Sequence, residues 1–299
     1  MIDRDVWADV MKVAERVGLH VLLIGDSFQL PPVTKDDSAR GFSTLKLETP
    51  FEVNLTEIIR QALESPIIRA SMMLRSGNPE YEAMETLEPL GQDVLVQAII
   101  DARSRGGCAI SFTNARRHDL NTRVRQAMGL PPETLLLAEP ILVTQNNYQL
   151  NVWNGEVLDF GGWDREPTAA DQIAVLDRYT SSAMNVHFGV GRVAGQSAVM
   201  SPEQFTGKSE AVHVGNWAIR KHARRWYRNE FRTEVSIPAL DCNYGYALTC
   251  HKAQGSEWPE VIVVIEDRLG ALRGIEKKRW LYTAITRAKE RVRYCYVEG

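Results

Sequence analysis

The sequence predicts an α/β protein with a smaller β-rich part set into it, and three observations carry that reading. Short apolar runs at Leu19–Ile24, Cys108–Thr113 and Val261–Ile265 have the near-continuous hydrophobicity of strands covered on both faces of a parallel sheet. Stretches with helical spacing of apolar residues alternate with these runs, as in α/β units. Between about residues 140 and 240 the texture changes to short strands and glycine-bearing turns, which suits a small barrel or sandwich.

Composition narrows the classes. A chain of 299 residues suits two or three domains. Its 44% hydrophobic and 24% charged content is ordinary for a soluble globular protein. The net charge of −3 means that any nucleic-acid contact must come from local patches. Cys108, Cys242, Cys250 and Cys295 are scattered without a CxxC pair, which speaks against a zinc ribbon or redox motif and fits a reducing, cytoplasmic setting. No stretch reaches the roughly 18 apolar residues that a membrane span requires, so no membrane contact is expected. The opening Met1–Trp7 is acidic and lacks an apolar signal core.

Taken in order, Val6, Val10, Val13 and Val17 have helical spacing, with Asp3 as the N-cap and Gly18 as the stop. Leu19–Ile24 then reads as a buried strand ending in Gly25-Asp26, and loops at such strand ends are where parallel sheets bind ligands. Gln29 stands in that loop, ahead of Leu30-Pro31-Pro32, whose prolines stiffen it. Two readings stay open, a sensor touching a nucleotide phosphate and a plain turn. Phe51–Leu55 alternates like a strand, and a helix runs from Thr56 through Met72 with a break at Pro66. Arg60, near its start, is either an arginine finger for a transferring phosphate or a surface arginine. Ser76–Pro79 breaks the chain and marks a domain boundary.

Asp93–Arg103 has amphipathic helical spacing. After Cys108–Thr113 comes Asn114 and a helix bearing Arg116, Arg117, Arg123 and Arg125. Its N-terminus could offer amides to a phosphate, or Thr113-Asn114 could be an ordinary cap beneath a solvated basic face. Strands are expected at Ile141–Thr144, at Tyr148–Phe160 around the turn Asn154-Gly155, and at Ile173–Asp177, Ala183–Val190 and Gln196–Met200. Gly207-Lys208-Ser209 imitates a phosphate-binding loop, but Pro202 stands where that pattern needs its first glycine. Ala218–Arg232 is a basic helix with Trp226 and Tyr227 interleaved, either a surface for a nucleic-acid backbone or a solvated face with aromatic packing.

Ala247–Gly255 (ALTCHKAQG) organises the rest. It sets Thr249, His251, Lys252, Gln254 and Gly255 close together at a strand end, a collection better suited to a phosphate backbone or a nucleotide than to a core. Val261–Ile265 is a strand, Arg279–Lys289 a helix with Tyr282, Thr286 and Arg287 near one face, and Arg291–Val297 a final strand.

Five of these segments, in this order, resemble motifs of the superfamily 1 helicases, in particular the RecD/Dda-like branch. GDSFQLPPV resembles motif III, LTEIIRQ motif IV, SFTNARRHDLN the strand-contacting motif IVa, YALTCHKAQGSEW motif V and WLYTAITRAK motif VI. The resemblance covers most of the chain. It implies RecA-like, P-loop NTPase-type helicase domains with an inserted small SH3-like β domain. Residues 1–75 would belong to the first RecA-like domain, 76–140 and 241–299 to the second, and 141–240 to the insert. By position, Gln29 would sense the γ-phosphate of ATP, with Gly25 and Asp26 beside it. Arg60 and Arg287 would be arginine fingers, and Glu257 would lie near the nucleotide sugar. Thr113, Asn114, Thr249 and His251 would hold single-stranded DNA, and Gln254 and Gly255 would link the strand site to the ATP site. Members of this branch generally move 5′ to 3′.

One departure matters as much as the match. The family's P-loop lysine and metal-binding Asp-Glu pair are not found, and the chain is expected to begin just after the latter. The principal ATP-phosphate and Mg²⁺ ligands are therefore expected on a missing N-terminal part, or on a separate chain carrying the P-loop half, and this polypeptide alone is expected to be inactive. The alternatives are a catalytically inactive remnant that binds single-stranded DNA or docks on another helicase and, among enzymes, a UvrD-like 3′-to-5′ helicase.

Overall fold

The computed structural model describes residues 4–31, 53, 65–131, 134–176, 181–205, 216–231, 237–272 and 274–298. Helices along it are α1 (Arg4–Val17), α2 (Pro66–Arg75), α3 (Glu80–Met84), α4 (Leu95–Ser104), α5 (Asn114–Ala127), α6 (Pro202–Phe205), α7 (Asn216–Phe231), α8 (Cys250–Ala253) and α9 (Ile275–Ile285). Strands are β1 (Glu88–Pro89), β2 (Cys108–Ser111), β3 (Pro140–Val143), β4 (Val157–Leu176), β5 (Ser181–Val193), β6 (Gln196–Met200), β7 (Cys242–Tyr244), β8 (Ala247–Thr249), β9 (Trp258–Glu266) and β10 (Ala288–Val297). The chain divides into two compact units, Met1–Leu87 with Gly270–Thr286, and Glu88–Leu269 with Arg287–Gly299.

In the first unit, α2 opens with Pro66 in its first turn, where a missing N–H costs nothing, and buries Ile67, Ala70 and Leu74. It packs against α9, whose Trp280, Leu281 and Ile285 are buried. The strand expected at Leu19–Ile24 does not form: the residues carry no strand assignment and most are exposed. A strand exists only with a hydrogen-bonded neighbour, and among the described residues none lies beside this run. The apolar positions of α1, Val6, Val10, Val13 and Val17, are likewise exposed. The helix expected through Ile58 and the strand Phe51–Leu55 fall outside the described residues except at Val53.

The second unit holds a parallel sheet in the order β1-β10-β9-β2-β8. Val261–Val264 are fully buried at its centre, as the apolar run predicts. An antiparallel sheet in the order β6-β5-β4-β3-β7 forms the β-rich part. One continuous core joins the two, running from Leu95 and Ile99 on α4 to Phe160, Met200 and Tyr244.

Three local readings change. The helix expected at Arg279–Lys289 spans Ile275–Ile285 instead. The Thr286 hydroxyl donates back to Tyr282 O, and Arg287 O accepts from Trp258 N, which turns the chain into β10. Asn154-Gly155 lies in the connection between the antiparallel neighbours β3 and β4 but is not a two-residue hairpin turn between them. Trp153 N donates to Glu156 Oε2, Asn154 N to Asn146 Oδ1 and Gly155 N to Val143 O, so the segment folds as a turn held against β3, and β4 starts only at Val157. The basic face of α5 is half inward, since Arg117 and Arg125 are buried. Arg125 pairs with Glu139 at 2.8 Å and lies 4.1 Å from the Tyr244 ring centre, while Tyr246 Oη donates to the same carboxylate. On α7, Ala223, Trp226 and Tyr227 pack against Val186, Phe188 and Val190, leaving Lys221, Arg225 and Arg228 exposed.

Candidate functional site

In the second unit, β2 and β8 are parallel neighbours with Ser111 opposite Thr249. Their carboxyl ends therefore lie together, and so do Thr113-Asn114 and Thr249–His251, which follow them. Asn121, a residue whose role sequence reasoning missed, fixes this juxtaposition. Its Oδ1 accepts from Tyr246 N and Ala247 N at 3.0 and 3.1 Å, and its Nδ2 donates to Ala247 O and Arg117 O. The amide acts as a surrogate strand that binds α5 to the start of β8. Every polar atom of this buried side chain is satisfied, as a buried amide requires.

Thr249 is the N-cap of α8, but its hydroxyl makes no capping bond. His251 is half-buried, and burial lowers its pKa below the usual histidine value, which favours a neutral imidazole for hydrogen bonding or stacking. Lys252 turns to the β-rich part instead, where Nζ donates to Asn154 Oδ1 at 2.7 Å and to Thr144 O at 3.0 Å. Gly155 has φ of 92°, and a Cβ there would meet Lys252 O at 2.5 Å, so only glycine fits under the lysine. Gln254 follows in extended conformation, and Gly255 at φ 87° makes the turn into Ser256. Arg287 is buried, with Nη1 3.4 Å from Ser256 O. Glu257 is exposed and paired with Lys289 at 3.3 Å.

Asn114 is exposed on the first turn of α5, whereas Thr113 is engaged. Glu266, the last residue of β9, accepts from Phe112 N at 2.8 Å and Thr113 N at 3.0 Å on Oε1, and from Thr113 Oγ1 at 2.7 Å on Oε2. Thr113 Oγ1 in turn accepts from Arg116 N at 3.1 Å. The carboxylate thus occupies a cradle whose amides and hydroxyl would also suit a phosphate. Hydrogen bonds to a charged group contribute about 1.5–3 kcal/mol each, so vacating this one costs several times what a single new phosphate contact returns.

In the first unit, Asp26 gathers the loop. Oδ1 accepts from Phe28 N at 2.9 Å and from Arg75 Nη1 at 3.2 Å, and Oδ2 accepts from Tyr282 Oη. Phe28 meets the Tyr282 ring edge-on at 5.1 Å, and Leu30 N donates to Thr283 Oγ1 at 3.0 Å. Burial first, and the Asp26 hydrogen bond second, push the Tyr282 hydroxyl up to about 12, so it stays a donor. Gln29 N donates to Asp26 O at 3.2 Å, and its half-buried side chain is uncommitted among the described residues. Gly25, just before it, is exposed. The sequence points to Asp26, Gln29 and Tyr282 but not to Arg75, which also holds the loop. For Tyr282 the signal was its helical spacing with Thr286. Arg60 lies outside the described residues.

Among the described residues no group of three or more His, Cys, Asp or Glu could hold a metal ion. A phosphate oxygen could be met by Gln29 or Arg287. No helix among the described residues is long and apolar enough to cross a membrane.

Known proteins extend these findings. The model of the UvrD-like helicase C-terminal domain matches residues 244–294, and that of an AAA domain matches residues 1–95. The ATP-dependent RecD2 DNA helicase of Deinococcus radiodurans is 24% identical over 297 residues, covering 92% of this chain and 32% of that protein. The chain thus spans about a third of that relative's length. Among solved structures, a Bacteroides Pif1 helicase in complex with ADP-AlF3 and ssDNA superposes with a TM-score of 0.51 at 15% identity, over 98% of this chain and 68% of that one. A Pif1 structure concerned with unwinding at forked dsDNA gives 0.52 at 15% identity, over 98% and 66%. These two share the fold.

Proposed function

We propose that this chain, which belongs among the superfamily 1, RecD-like helicases, is the strand-holding and nucleotide-responding part of an ATP-dependent DNA helicase moving 5′ to 3′ on single-stranded DNA. One observation carries the reading: Asn114 and Thr249–His251, from two distant motifs, converge at the carboxyl ends of the adjacent strands β2 and β8. Asn114, Thr249, His251 and Gln254 hold the strand, and Thr113 supports the loop. Gln29, Arg60 and Arg287 respond to the γ-phosphate of ATP, with Gly25, Asp26, Gly255 and Glu257 shaping the nucleotide side. The organisation into a first RecA-like part (1–75), a second (76–140 and 241–299) and an SH3-like insert (141–240) goes with this reading. Four buried free cysteines suit a reducing, cytoplasmic setting.

The P-loop lysine and the Mg²⁺ ligands come from residues outside these 299, on the same or a separate chain. This chain alone then holds DNA without hydrolysing ATP. Anisotropy titration of a labelled oligo-dT tests the first half. Asn114→Ala and His251→Ala are each expected to weaken binding about tenfold, equivalent to about 1.4 kcal/mol. Unchanged affinity in both would remove the strand site from this edge. Mg²⁺-dependent ATPase from the pure chain, lost on Arg287→Ala, would overturn the second half. Translocation assays on the assembled motor decide direction, and 3′-to-5′ movement would favour the UvrD-like branch.

A further inference from the structure

We infer that Glu266 is a positioning residue for strand binding: it locks Phe112 and Thr113 so that Asn114, and not Thr113, meets the DNA. The inference rests on the strand-holding reading and deepens it. Glu266 is 4% exposed and ends the strand next to β2, so its carboxylate reaches the loop that β2 feeds into α5. It takes both consecutive amides and the Thr113 hydroxyl, and that hydroxyl also caps Arg116 N. Those donors are then closed to a phosphate, and a fixed negative charge fills the cradle. Asn114 is the next residue along, exposed, at the point where the helix begins. Its direction is set by the two peptide units that Glu266 holds. The charge also repels a phosphate from the cradle itself, so the backbone passes at Asn114.

A double-mutant cycle on the full chain tests this, with oligo-dT affinity as the readout and melting curves to confirm folding. Glu266→Ala is expected to weaken binding about tenfold, and Asn114→Ala should then have little further effect, since the residue is no longer aimed. Glu266→Asp keeps the charge but cannot span both amides and the hydroxyl. It should give a smaller loss with the same non-additivity, and it carries the cycle if Glu266→Ala does not fold. Wild-type affinity in both Glu266 variants overturns the inference. So does an Asn114→Ala penalty that is equally large in the Glu266 backgrounds, because the carboxylate would then be structural only. Tighter binding by Glu266→Ala overturns it too, since a phosphate would then be taking the cradle. If wild type fails to bind oligo-dT at all, the strand reading falls and takes this inference with it.

Discussion

Leu19–Ile24 and Val261–Ile265 look alike as text and meet opposite fates. The second is the buried centre of a parallel sheet, with Val261, Ile262, Val263 and Val264 at 0% exposure. The first has no strand partner among the described residues, with Leu22 at 82% and Ile24 at 87% exposure. Apolar texture states what a segment can bury, while the neighbour decides whether it does. β10 and β2 flank β9, and nothing among the described residues flanks the first run. The same contrast separates α1, with its valines exposed, from α4, which buries Leu95, Ala98, Ile99 and Ala102.

The sharpest test of this contrast lies where the second unit is most committed. Glu139→Ala leaves Arg125 buried without its carboxylate and removes the acceptor for Tyr246 Oη. A loss of about 3–5 kcal/mol in urea unfolding is expected. A loss under 1 kcal/mol would mean that water reaches this pair and that the unit is looser than its burial implies. Next comes the direct comparison. Ile262→Ala is expected to cost about 2–5 kcal/mol. Leu22→Ala should stay within about 0.5 kcal/mol, as surface substitutions do. Comparable losses for both would break the contrast and show that Leu22 is covered in solution.

The smallest effect is a pH dependence at His251. Burial lowers its folded pKa, so the unfolded chain takes up the proton first as pH falls. Stability is full above the unfolded value of about 6.5, and is lost progressively below it until the folded value is passed. Melting at pH 7.5 and 5.5 should show a drop that His251→Gln reduces. An identical drop in both proteins would assign the acid limb to other groups.

Much of the frame was legible. Gln196–Met200 is a strand at the expected bounds, and CAISFT ends where a polar loop opens onto a helix. Thr249 and His251 stand at a strand end, as the ALTCHKAQG stretch suggests. Other residues gave no such signal. Glu266 reads as an ordinary polar stop to an apolar strand, and its partners Phe112 and Thr113, in the loop after β2, are 154 and 153 positions away in sequence. Arg125 shares a basic helix with Arg116 and Arg123, and composition cannot say that it faces inward until Glu139 and Tyr244 are in place. Asn121 is polar at a helical position, which suggests solvent, yet it serves as a strand. In each case the deciding partner is distant in sequence, and local periodicity carries no information about it.

The Lys252 contact bears on how this architecture can be altered. The turn at Asn154-Gly155 reaches across to the segment before Gln254 and supports it with one amide oxygen and one glycine that tolerates no side chain. The β-rich part is therefore not an exchangeable cassette. A chimera that grafts in a different β-rich part must also supply this two-residue footing, or Lys252 loses its seat and the Thr249–His251 segment beside it is left unanchored.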